Sequence, residues 1–479
     1  MDASAQLRCI NPDCRSEFPV TRAVFACGRC GELLDVEYPG LEPVADPAGL
    51  QRLFAQRLAS GAWAASGSGE QRAIDASGVW RFRELIGFCP DESRLVTIGE
   101  GRTILQRADA LAERVGFGAG ELFLQYEGFN PSGSFKDNGM AGAFTHARMI
   151  GASRVLCAST GNTSASLALF AALAGFAAYV LIGSGKIAYG KLSQALDFGA
   201  RTVQLAGDFD ACLRRVQQLG VERPELGIYV MNSINPFRIE GQKAIMFRVM
   251  EGLAWEPPDW IVVPGGNLGN CSAFAKAFVE MERAGLIAPG RRPRLAVINA
   301  AGARTFDRMV NELGLRWQGG RYDRARVRTE LERMDHAGER ARTVASAIEI
   351  GRPVNLPKAL RALEWMDGVV RSVDDETILE HKALIGRHGY SCEPACAAAL
   401  AGARMLRKAG VIGRGQRTVC IITGHGLKDP DATVKYHTGL DMKSAQESAS
   451  RTTPGGALAN PPVLCADDLD ALRRLFAGA

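Results

Sequence analysis

Short apolar runs of strand type alternate with helical stretches over much of the chain, and this alternation restricts the fold more than any other feature. The runs occupy residues 122–126, 155–158, 177–182, 202–205, 260–263 and 295–298, with a late one at 418–422. Strands that alternate with helices usually pair in parallel, because the intervening helix carries the chain back across the sheet. The pattern therefore predicts an α/β fold in which helices cover parallel or mixed sheets.

The length of the chain implies more than one domain. A single hydrophobic core stops growing near ~250–300 residues, and this chain has 479 residues. Residues 1–40 have a cysteine pattern of their own, and residues 441–479 are read as a linker and a short C-terminal helix, because Ser, Thr, Gly, Ala and Pro dominate the first part of that segment. We expect two or more domains between these ends.

One apolar stretch, 166–183, approaches the ~20 residues that a membrane-spanning helix needs. Gly175 lies in its middle, and the residues after it, such as Tyr179 and Val180, are of β type. We therefore expect a buried helix followed by a buried strand. A net charge of +5 without a basic block interleaved with aromatic residues does not indicate nucleic-acid binding. The sequence favours a globular chain with neither membrane nor nucleic acid as a partner.

Four cysteines near the N-terminus have the spacing of a metal-binding module. Four residues separate Cys9 from Cys14, and two separate Cys27 from Cys30. Four thiolates on two turns can bind zinc as a tetrahedron, and the metal then stabilises a unit too small for a core of its own. Residues 1–40 are interpreted as a zinc-ribbon-like module, and four free thiols in a ribbon without metal are the alternative.

The cysteines also bear on the cellular compartment. The chain has twelve of them, and no secretory signal precedes the first, since residues 1–7 are short and polar. Cysteines without a secretory context indicate a reducing compartment, because disulfides persist in oxidising ones. We expect a cytoplasmic protein.

Lys136 follows a turn of small and polar residues after the first strand of the alternation. The segment 130–137 reads NPSGSFKD and leads into a helix, which places Lys136 in the first helical turn at the sheet edge. A partly desolvated lysine near the positive end of a helix has a lowered pKa and can form a Schiff base with an aldehyde cofactor. A surface lysine after an ordinary turn is the alternative when this segment is read alone.

Two further turns between a strand and a helix offer groups that bind anions. The segment 159–163, STGNT, has hydroxyls and backbone N–H groups that suit a carboxylate at a helix N-terminus. Its Asn162 could hydrogen-bond a ring hydroxyl of the cofactor or act as a plain helix cap. The segment 264–270, PGGNLGN, has glycines that let backbone amides cradle a dianionic phosphate. It has neither the Lys-Ser/Thr ending of a nucleotide P-loop nor the spacing of a dinucleotide site.

Together with Thr423, at the end of the last strand, these turns resemble those of the fold-type II pyridoxal-phosphate enzymes, the tryptophan synthase β family. Within that family the chain is similar to the threonine synthases over most of residues 78–437. The matching segments are GVWRFREL, NPSGSFKDNGM, STGNT, NSINPFRIEGQK, VVPGGNLGN, GRPVNLPKAL, CEPACAAALAG and TGHGLKDPDATVKYH. Chance does not supply so many segments in order.

The resemblance implies a role for each matching residue. Lys136 would bind pyridoxal 5′-phosphate and move protons, Asn162 would bond its ring oxygen, and Thr423 would contact the pyridine nitrogen. The residues that would hold the cofactor phosphate are Gly266, Asn267, Leu268, Gly269 and Asn270. The residues that would bind substrate are Asn232, Ser233 and Arg238 for its phosphate and Ser159, Thr160 and Thr163 for its carboxylate. For Arg238 read alone, an ion pair with Glu240 is the alternative.

The resemblance also implies a reaction, the conversion of O-phosphohomoserine and water to threonine and phosphate. Alternatives are a phosphoserine-using β-replacement synthase of the cysteate type, a hydroxyamino-acid dehydratase, and a zinc-ribbon binding protein whose enzyme body is inactive. Members of the family are usually homodimers in which a small domain closes over the substrate. Here the large domain would be 41–140 and 233–440, and the small mobile domain 141–232.

Overall fold

The strands form three sheets in the part of the chain that the computed structural model describes, residues 5–61, 69–159, 161–183, 189–206, 209–440 and 456–477. The strands are β1 (Gln6–Cys9), β2 (Glu17–Pro19), β3 (Leu34–Glu37), β4 (Ile104–Arg107), β5 (Leu122–Tyr126), β6 (Arg154–Ala158), β7 (Ala177–Gly183), β8 (Arg201–Leu205), β9 (Ile228–Val230), β10 (Trp260–Pro264), β11 (Arg294–Ala300), β12 (Val369–Val373) and β13 (Thr418–Ile422). The α-helices are α1 (Pro47–Gly61), α2 (Gly69–Ala76), α3 (Asp109–Arg114), α4 (Lys136–Met149), α5 (Asn162–Ala174), α6 (Tyr189–Asp197), α7 (Phe209–Glu222), α8 (Pro236–Gly252), α9 (Gly269–Arg283), α10 (Thr305–Asp307), α11 (Arg324–His336), α12 (Leu356–Trp365), α13 (Asp375–Arg387), α14 (Pro394–Lys408), α15 (Pro430–Thr438) and α16 (Leu469–Ala477).

The N-terminal sheet is antiparallel, with the strand order β2, β1, β3. Leu7 of β1 lies opposite Val36 of β3, and both side chains are buried. Asp35 of β3 is also buried and forms ion pairs with Lys358 and Arg361 of α12. The unit around the N-terminal cysteines therefore has a small sheet of its own, which buried charges join to the rest of the protein.

The largest sheet has six strands in the order β12, β11, β10, β13, β5, β4. Its neighbouring strands are parallel except for β4 and β5, which are antiparallel. Because β10, β13 and β5 are adjacent, the turns that follow these three strands meet at one edge of the sheet. Ligand sites of open α/β sheets lie at this carboxyl edge. The prediction of an α/β fold with parallel and mixed sheets is confirmed.

The third sheet has four parallel strands in the order β8, β7, β6, β9. The apolar stretch 166–183 contributes to it: α5 ends at Ala174, Gly175 has a φ of +78°, and β7 begins at Ala177. Glycine adopts this left-handed conformation without strain, so it ends the helix. The prediction of a helix followed by a strand is confirmed, and no helix among the described residues is long and apolar enough to cross a membrane.

The structure places β5 and β13 at the predicted residues and the other predicted strands within two residues of theirs. The sequence does not predict β4, β9 and β12. Arg371 and Ser372 interrupt the apolar pattern of β12, β9 has three residues, and β4 lies at the sheet edge. Strands this short, interrupted or exposed at an edge give only a weak sequence signal, and their pairing with neighbouring strands determines where they form. The predicted C-terminal helix is α16, whereas residues 441–455 of the predicted linker lie outside the described residues.

The helices α4 and α8 approach each other closely at two glycines. A Cβ at Gly241 would lie 2.0 Å from the carbonyl oxygen of Asn138, and one at Gly142 would lie 2.4 Å from that of Phe237. No side chain fits at such a contact, so glycine is required at both positions. This packing fixes the N-terminal turns of the two helices relative to each other.

Candidate active site

A cavity of about 910 Å³ lies where the turns after β5, β6, β10 and β13 meet. Cofactor and substrate sites generally occupy clefts of ~300–1,000 Å³. The predicted cofactor and substrate residues that line it are Lys136, Ser159, Asn162, Thr163, Asn232, Ser233, Arg238, Gly266, Asn267, Leu268, Gly269, Asn270 and Thr423. Thr160 lies outside the described residues. The structure thus brings together each of these predicted residues that it describes.

Lys136 is the first residue of α4, and its partly buried side chain lines the cavity. Its Nζ lies 4.2 Å from the ring centre of Phe135. The pKa of Lys136 is lowered to about 7, first by burial and then by the positive charge of Arg238, while the negative charge of Glu393 acts in the opposite sense. A large share of the amine is therefore neutral near pH 7, and a neutral amine is a nucleophile.

The turn before Lys136 is held by the side chain of Asp137. This carboxylate accepts hydrogen bonds from the backbone N–H of Ser132 over 2.7 Å and from the hydroxyls of Ser132 and Ser166. Burial raises the pKa of Asp137 to about 6. The carboxylate of Asp137 is therefore occupied by hydrogen bonds within the protein, and the neighbouring Lys136 lines the cavity.

Arg238 is a buried cation at the cavity wall, and the protein binds only part of its guanidinium group. Its side chain is 1% exposed, and its Nη1 donates to the carbonyl oxygen of Met231 over 2.9 Å. Its Nε and Nη2 have no hydrogen-bond partner among the described residues. The alternative of an ion pair with Glu240 is wrong, because Glu240 pairs with Lys243 and Lys276 instead. A buried guanidinium with free N–H groups is suited to a phosphate or a carboxylate.

The loop after β10 packs so closely against neighbouring residues that little space is left for a side chain at Gly265 or Gly266. A Cβ at Gly265 would lie 2.7 Å from Nδ2 of Asn299, and one at Gly266 would lie 3.1 Å from the Cα of Ile348. The helix α9 begins directly after this loop, at Gly269. The first N–H groups of a helix have no acceptor within it and carry its positive dipole end. The loop is therefore a cradle of backbone amides that fits the phosphate of pyridoxal phosphate.

The N-terminal turn of α5 brings Ser159, Asn162 and Thr163 to the cavity. Asn162 is not a plain cap, because Gly161 occupies the N-cap position and Nδ2 of Asn162 donates to Oε1 of Glu393 over 2.8 Å. The Oγ of Ser159 accepts a hydrogen bond from the N–H of Gly161 over 3.1 Å. The N–H groups at this turn and the positive dipole end of α5 suit a carboxylate.

Asn232 and Ser233 lie in the turn between β9 and α8, and the protein already uses part of their hydrogen-bonding capacity. The Oδ1 of Asn232 accepts from the backbone N–H of Ala158, and its Nδ2 donates to the carbonyl oxygen of Ala158, both over 3.0 Å. The carbonyl oxygen of Ser233 accepts from Nδ2 of Asn355 over 3.0 Å. The amide of Asn232 thus joins the end of β6 to the turn between β9 and α8, and it has one N–H left for a ligand.

Thr423 follows β13 and is 5% exposed. Its carbonyl oxygen accepts a hydrogen bond from the N–H of Phe135 over 2.9 Å, which ties it to the turn that carries Lys136. Its Oγ1 lies 3.3 Å from Sγ of Cys396. Burial raises the pKa of the Cys396 thiol well above its usual value, so the thiol keeps its proton. The hydroxyl of Thr423 is therefore held beside a neutral group at the cavity wall.

The cavity also contains charged residues that the sequence does not single out. Glu393 precedes α14, and Lys428 lies in the turn after β13. The sequence signal for Glu393 is one acidic residue in the otherwise apolar segment 392–401. Its hydrogen bond with Asn162 joins residues 231 positions apart, and no local pattern encodes such a pair.

A second candidate site lies in the N-terminal unit. The sulfurs of Cys9, Cys14, Cys27 and Cys30 lie within 4.8 Å of one another. The distance is 3.5 Å between the first and last of these sulfurs and 3.7 Å between the middle two. Four thiolates at ~2.3 Å from a zinc ion are about 3.8 Å apart in a tetrahedron. The donor set and its spacing fit zinc.

Comparison with known proteins connects the chain to characterised relatives. A family model described as "Pyridoxal-phosphate dependent enzyme" matches residues 96–424. The threonine synthase of Methanocaldococcus jannaschii is 39% identical over 429 residues, which cover 89% of this chain and 94% of that protein. The threonine synthase of Methanosarcina acetivorans is 38% identical over 429 residues, which cover 89% of this chain and 93% of that protein.

Solved structures of more distant proteins share the fold. The crystal structure of threonine synthase from Escherichia coli has a TM-score of 0.58 at 19% identity and covers 99% of each chain. The structure of maize serine racemase has a TM-score of 0.51 at 19% identity and covers 72% of this chain and 91% of that chain. At these identities the likeness shows the fold alone.

Proposed function

Because the chain belongs to the pyridoxal-phosphate dependent enzyme family, and within it to the threonine synthases, we propose that it converts O-phosphohomoserine and water to threonine and phosphate. The enzyme is a lyase, since the reaction breaks the carbon–oxygen bond to the phosphate group. Its cofactor is pyridoxal 5′-phosphate.

The observation that supports the proposal most is that a nucleophilic amine and a guanidinium with two unbonded nitrogens line one cavity. Lys136 has a pKa of about 7. Arg238 has free N–H groups on Nε and Nη2, with no partner among the described residues. The amine suits a bond to an aldehyde, and the guanidinium suits an anionic substrate. A pyridoxal-phosphate enzyme with a phosphorylated substrate needs both.

The cavity offers a group for each part of the cofactor. Lys136 would bind the aldehyde carbon, and the backbone amides of residues 266–270 would hold the phosphate. Asn162 would bond the ring oxygen, and Thr423 would donate to the pyridine nitrogen. When bound, the cofactor delocalises the negative charge that develops on the reacting substrate. A hydroxyl does not force protonation of the pyridine nitrogen. With Thr423 as its partner the ring would withdraw electrons less strongly, so the reaction would depend more on the proton transfers of Lys136.

Two regions of the cavity would hold the anionic groups of the substrate. Arg238 would bind the phosphate together with Asn232 and Ser233, since a guanidinium contacts two phosphate oxygens at once. The N-terminal turn of α5, with Ser159 and Thr163, would bind the carboxylate. This arrangement would place the substrate between the two anion sites.

Lys136 would carry the proton transfers. Its amine, released when the substrate takes its place, removes the proton from Cα and then one from Cβ. Phosphate leaves Cγ while Arg238 holds it, and water adds at Cβ to form the hydroxyl of threonine. Protons returned to Cγ and Cα complete the product. One positioned base typically contributes about 10²- to 10⁴-fold to such a rate.

We also propose the division into a large domain, 41–140 and 233–440, and a small mobile domain, 141–232. The arrangement of the sheets supports it, because the four-stranded sheet falls within the small domain and the six-stranded sheet within the large one. The helix α4 crosses the proposed boundary and would connect the two. Residues of both domains line the cavity, so a movement of the small domain would open and close it.

For the N-terminal unit, 1–40, we propose a structural zinc ion, and the spacing of the four sulfurs supports it. We further propose that the protein is a homodimer of the reducing cytoplasm. None of the twelve cysteines, all of which lie within the described residues, forms a disulfide, which fits a reducing compartment. Light scattering of the purified protein tests the dimer.

The proposed function is tested with purified protein that carries pyridoxal phosphate and is given O-phosphohomoserine. We expect phosphate and threonine in equal amounts from the natural protein and neither from Lys136→Ala. O-phosphoserine serves as the comparison substrate. Phosphate release from O-phosphoserine without release from O-phosphohomoserine would contradict the proposal and favour a β-replacement synthase.

A further inference from the structure

Glu393 is a buried carboxyl group in the cavity wall that the proposed mechanism does not use. It is the N-cap residue of α14, is 5% exposed and lines the cavity. Its Oε1 accepts a hydrogen bond from Nδ2 of Asn162 over 2.8 Å. This bond joins the N-terminal turn of α14 to that of α5, so it connects the part of the protein with the six-stranded sheet to the part with the four-stranded sheet.

The surroundings of Glu393 leave its carboxylate little freedom. Its backbone N–H donates to the carbonyl oxygen of Gly424 over 3.3 Å. A Cβ at Gly424 would lie 2.5 Å from Oε1 of Glu393, so the carboxylate packs directly against the backbone that follows Thr423. The carboxylate is therefore fixed between that backbone and the amide of Asn162.

Charged groups from several elements surround Glu393. Burial raises the pKa of Glu393, and the negative charge of Asp429 acts in the same sense, whereas the positive charges of Lys428 and Lys136 and the hydrogen bond from Asn162 favour its ionised form. The titratable groups that interact with Glu393 are Lys136, Lys428, Asp429 and Cys396. The other charged or titratable residues that line the cavity are Arg238, Asp335, Glu339, Arg340, Glu349, Arg352 and His425.

Among these groups, Glu393 is the acid whose charge acts on Lys136. Arg238 repels the cationic form of Lys136, and Glu393 attracts it. Lys428 is already bound, because its Nζ donates to the carbonyl oxygen of Ser132 over 3.1 Å. The balance of charge at the nitrogen of Lys136 therefore depends on Glu393.

We propose that Glu393 is a positioning residue of the active site, whose carboxylate fixes the amide of Asn162 and whose negative charge stabilises the cationic form of the Lys136 nitrogen. The inference rests on the proposed function, because that function assigns Asn162 to the ring oxygen of the cofactor. An amide nitrogen has two N–H donors. With one of them bound to Glu393, the other is held in a fixed direction for the cofactor.

The variant Glu393→Gln separates charge from shape, because glutamine keeps an acceptor for Asn162 but carries no charge. A nearby opposite charge shifts a pKa by about 1–3 units. Without the negative charge of Glu393, the nitrogen of Lys136 loses its proton at lower pH. We expect the pH midpoint of the visible absorbance band of the bound cofactor to move down by about one unit. Glu393→Ala also releases Asn162, so we expect faster loss of the cofactor as well.

The measurement is a pH titration of the absorbance of the purified holoenzyme, with Glu330→Gln as the matched control. Glu330 is a buried glutamate of α11 that does not line the cavity. We expect its variant to keep the midpoint of the natural protein. Glu393→Asp keeps the charge on a shorter side chain, so its midpoint should stay in place while the cofactor dissociates faster. Thermal melting by circular dichroism verifies that each variant folds.

A midpoint in Glu393→Gln that matches the Glu330→Gln control would overturn the charge role. Additive effects of Glu393→Ala and Asn162→Ala on cofactor dissociation would overturn the positioning role, because residues that act as one unit give non-additive effects. If Glu393→Gln does not fold, Glu393→Asp decides, since a dissociation rate equal to that of the natural protein contradicts the proposal. These readouts need no substrate, so a failure of phosphate release contradicts the proposed reaction without affecting them.

Discussion

The side chains of Arg238 and Lys136 line one cavity, and the charge of the arginine lowers the pKa of the lysine. The two residues lie in the first turns of α8 and α4, whose contact at Gly241 and Gly142 fixes these turns relative to each other. Arg238 therefore has two effects, because it offers donors to an anion and favours the neutral amine of Lys136. An anion bound at Arg238 would reduce the second effect.

Replacement of Arg238 by Gln removes the free N–H groups that we assign to the substrate phosphate. A hydrogen bond to a charged group contributes ~1.5–3 kcal/mol, so we expect kcat/KM for O-phosphohomoserine to fall about 10- to 100-fold. Arg238→Lys keeps the charge but not the planar donors, so its kcat/KM should lie between that of the natural protein and that of Arg238→Gln. Steady-state kinetics measures both variants. Equal kcat/KM values in all three proteins would exclude Arg238 from substrate binding.

The pKa of Lys136 predicts how the uptake of cofactor by the apoenzyme depends on pH. The rate should rise with pH to a midpoint near 7 and then level off, because the neutral amine is the attacking form. In Arg238→Gln the midpoint should move to higher pH, since the lysine keeps its proton more strongly without the positive charge. Stopped-flow absorbance measures the rates. A midpoint near the ordinary lysine value of 10.5 in both proteins would contradict the account.

The contact between α4 and α8 predicts a large effect of a small substitution. In Gly241→Ala the new Cβ would lie 2.0 Å from the carbonyl oxygen of Asn138, so the helices must move apart. Overpacking of this kind costs about 1–3 kcal/mol of the free energy of unfolding. The control is Gly386→Ala in α13, where an added Cβ has no neighbour within 4 Å. There we expect a gain of up to ~1 kcal/mol from helix propensity, and urea unfolding measures both variants.

The parts of the site that the sequence predicts are those that local pattern encodes. The turns after β5, β6 and β10 each lie between an apolar run and a helical stretch, and in parallel sheets the ends of such strands meet at one edge. The sequence therefore predicts the turns that carry Lys136, Asn162 and the loop 266–270, and the resemblance to a family groups these turns in one site. The resemblance also assigns a role to Thr423, which directly follows the predicted strand 418–422, and to Arg238, which lies inside a helix and is marked by no strand end.

The remainder of the site depends on contacts between distant segments. The sequence allows Arg238 to pair with Glu240 two positions along, but Glu240 instead contacts Lys276 of α9. Glu393 is brought to Asn162 by the packing of two helices that begin far apart in the chain, since the two residues are 231 positions apart. Pairs of this kind depend on which helix faces which, and helix packing is set by the whole core rather than by residues near each partner.

The four N-terminal cysteines predict a zinc content of about one ion per chain, since they supply one tetrahedral set of thiolates. Cys27→Ser should lose the metal and lower the melting temperature of the protein, because zinc binding contributes to the folding of such units. The control is Cys465→Ser, which changes a half-buried cysteine outside the cluster. It should keep both the zinc and the melting temperature of the natural protein. Elemental analysis measures the zinc. Purified protein without metal, and an unchanged melting temperature in Cys27→Ser, would favour four free thiols.

In the proposed reaction the enzyme breaks the carbon–oxygen bond of O-phosphohomoserine and adds water at Cβ, with Lys136 as the base. The most direct measurement is turnover in water labelled with heavy oxygen, followed by mass spectrometry of both products. We expect the label in the hydroxyl of threonine, none in the phosphate at the time of its release, and no products from Lys136→Ala. Label in the phosphate together with homoserine as the second product would show hydrolysis of the phosphate ester and would exclude the proposed reaction.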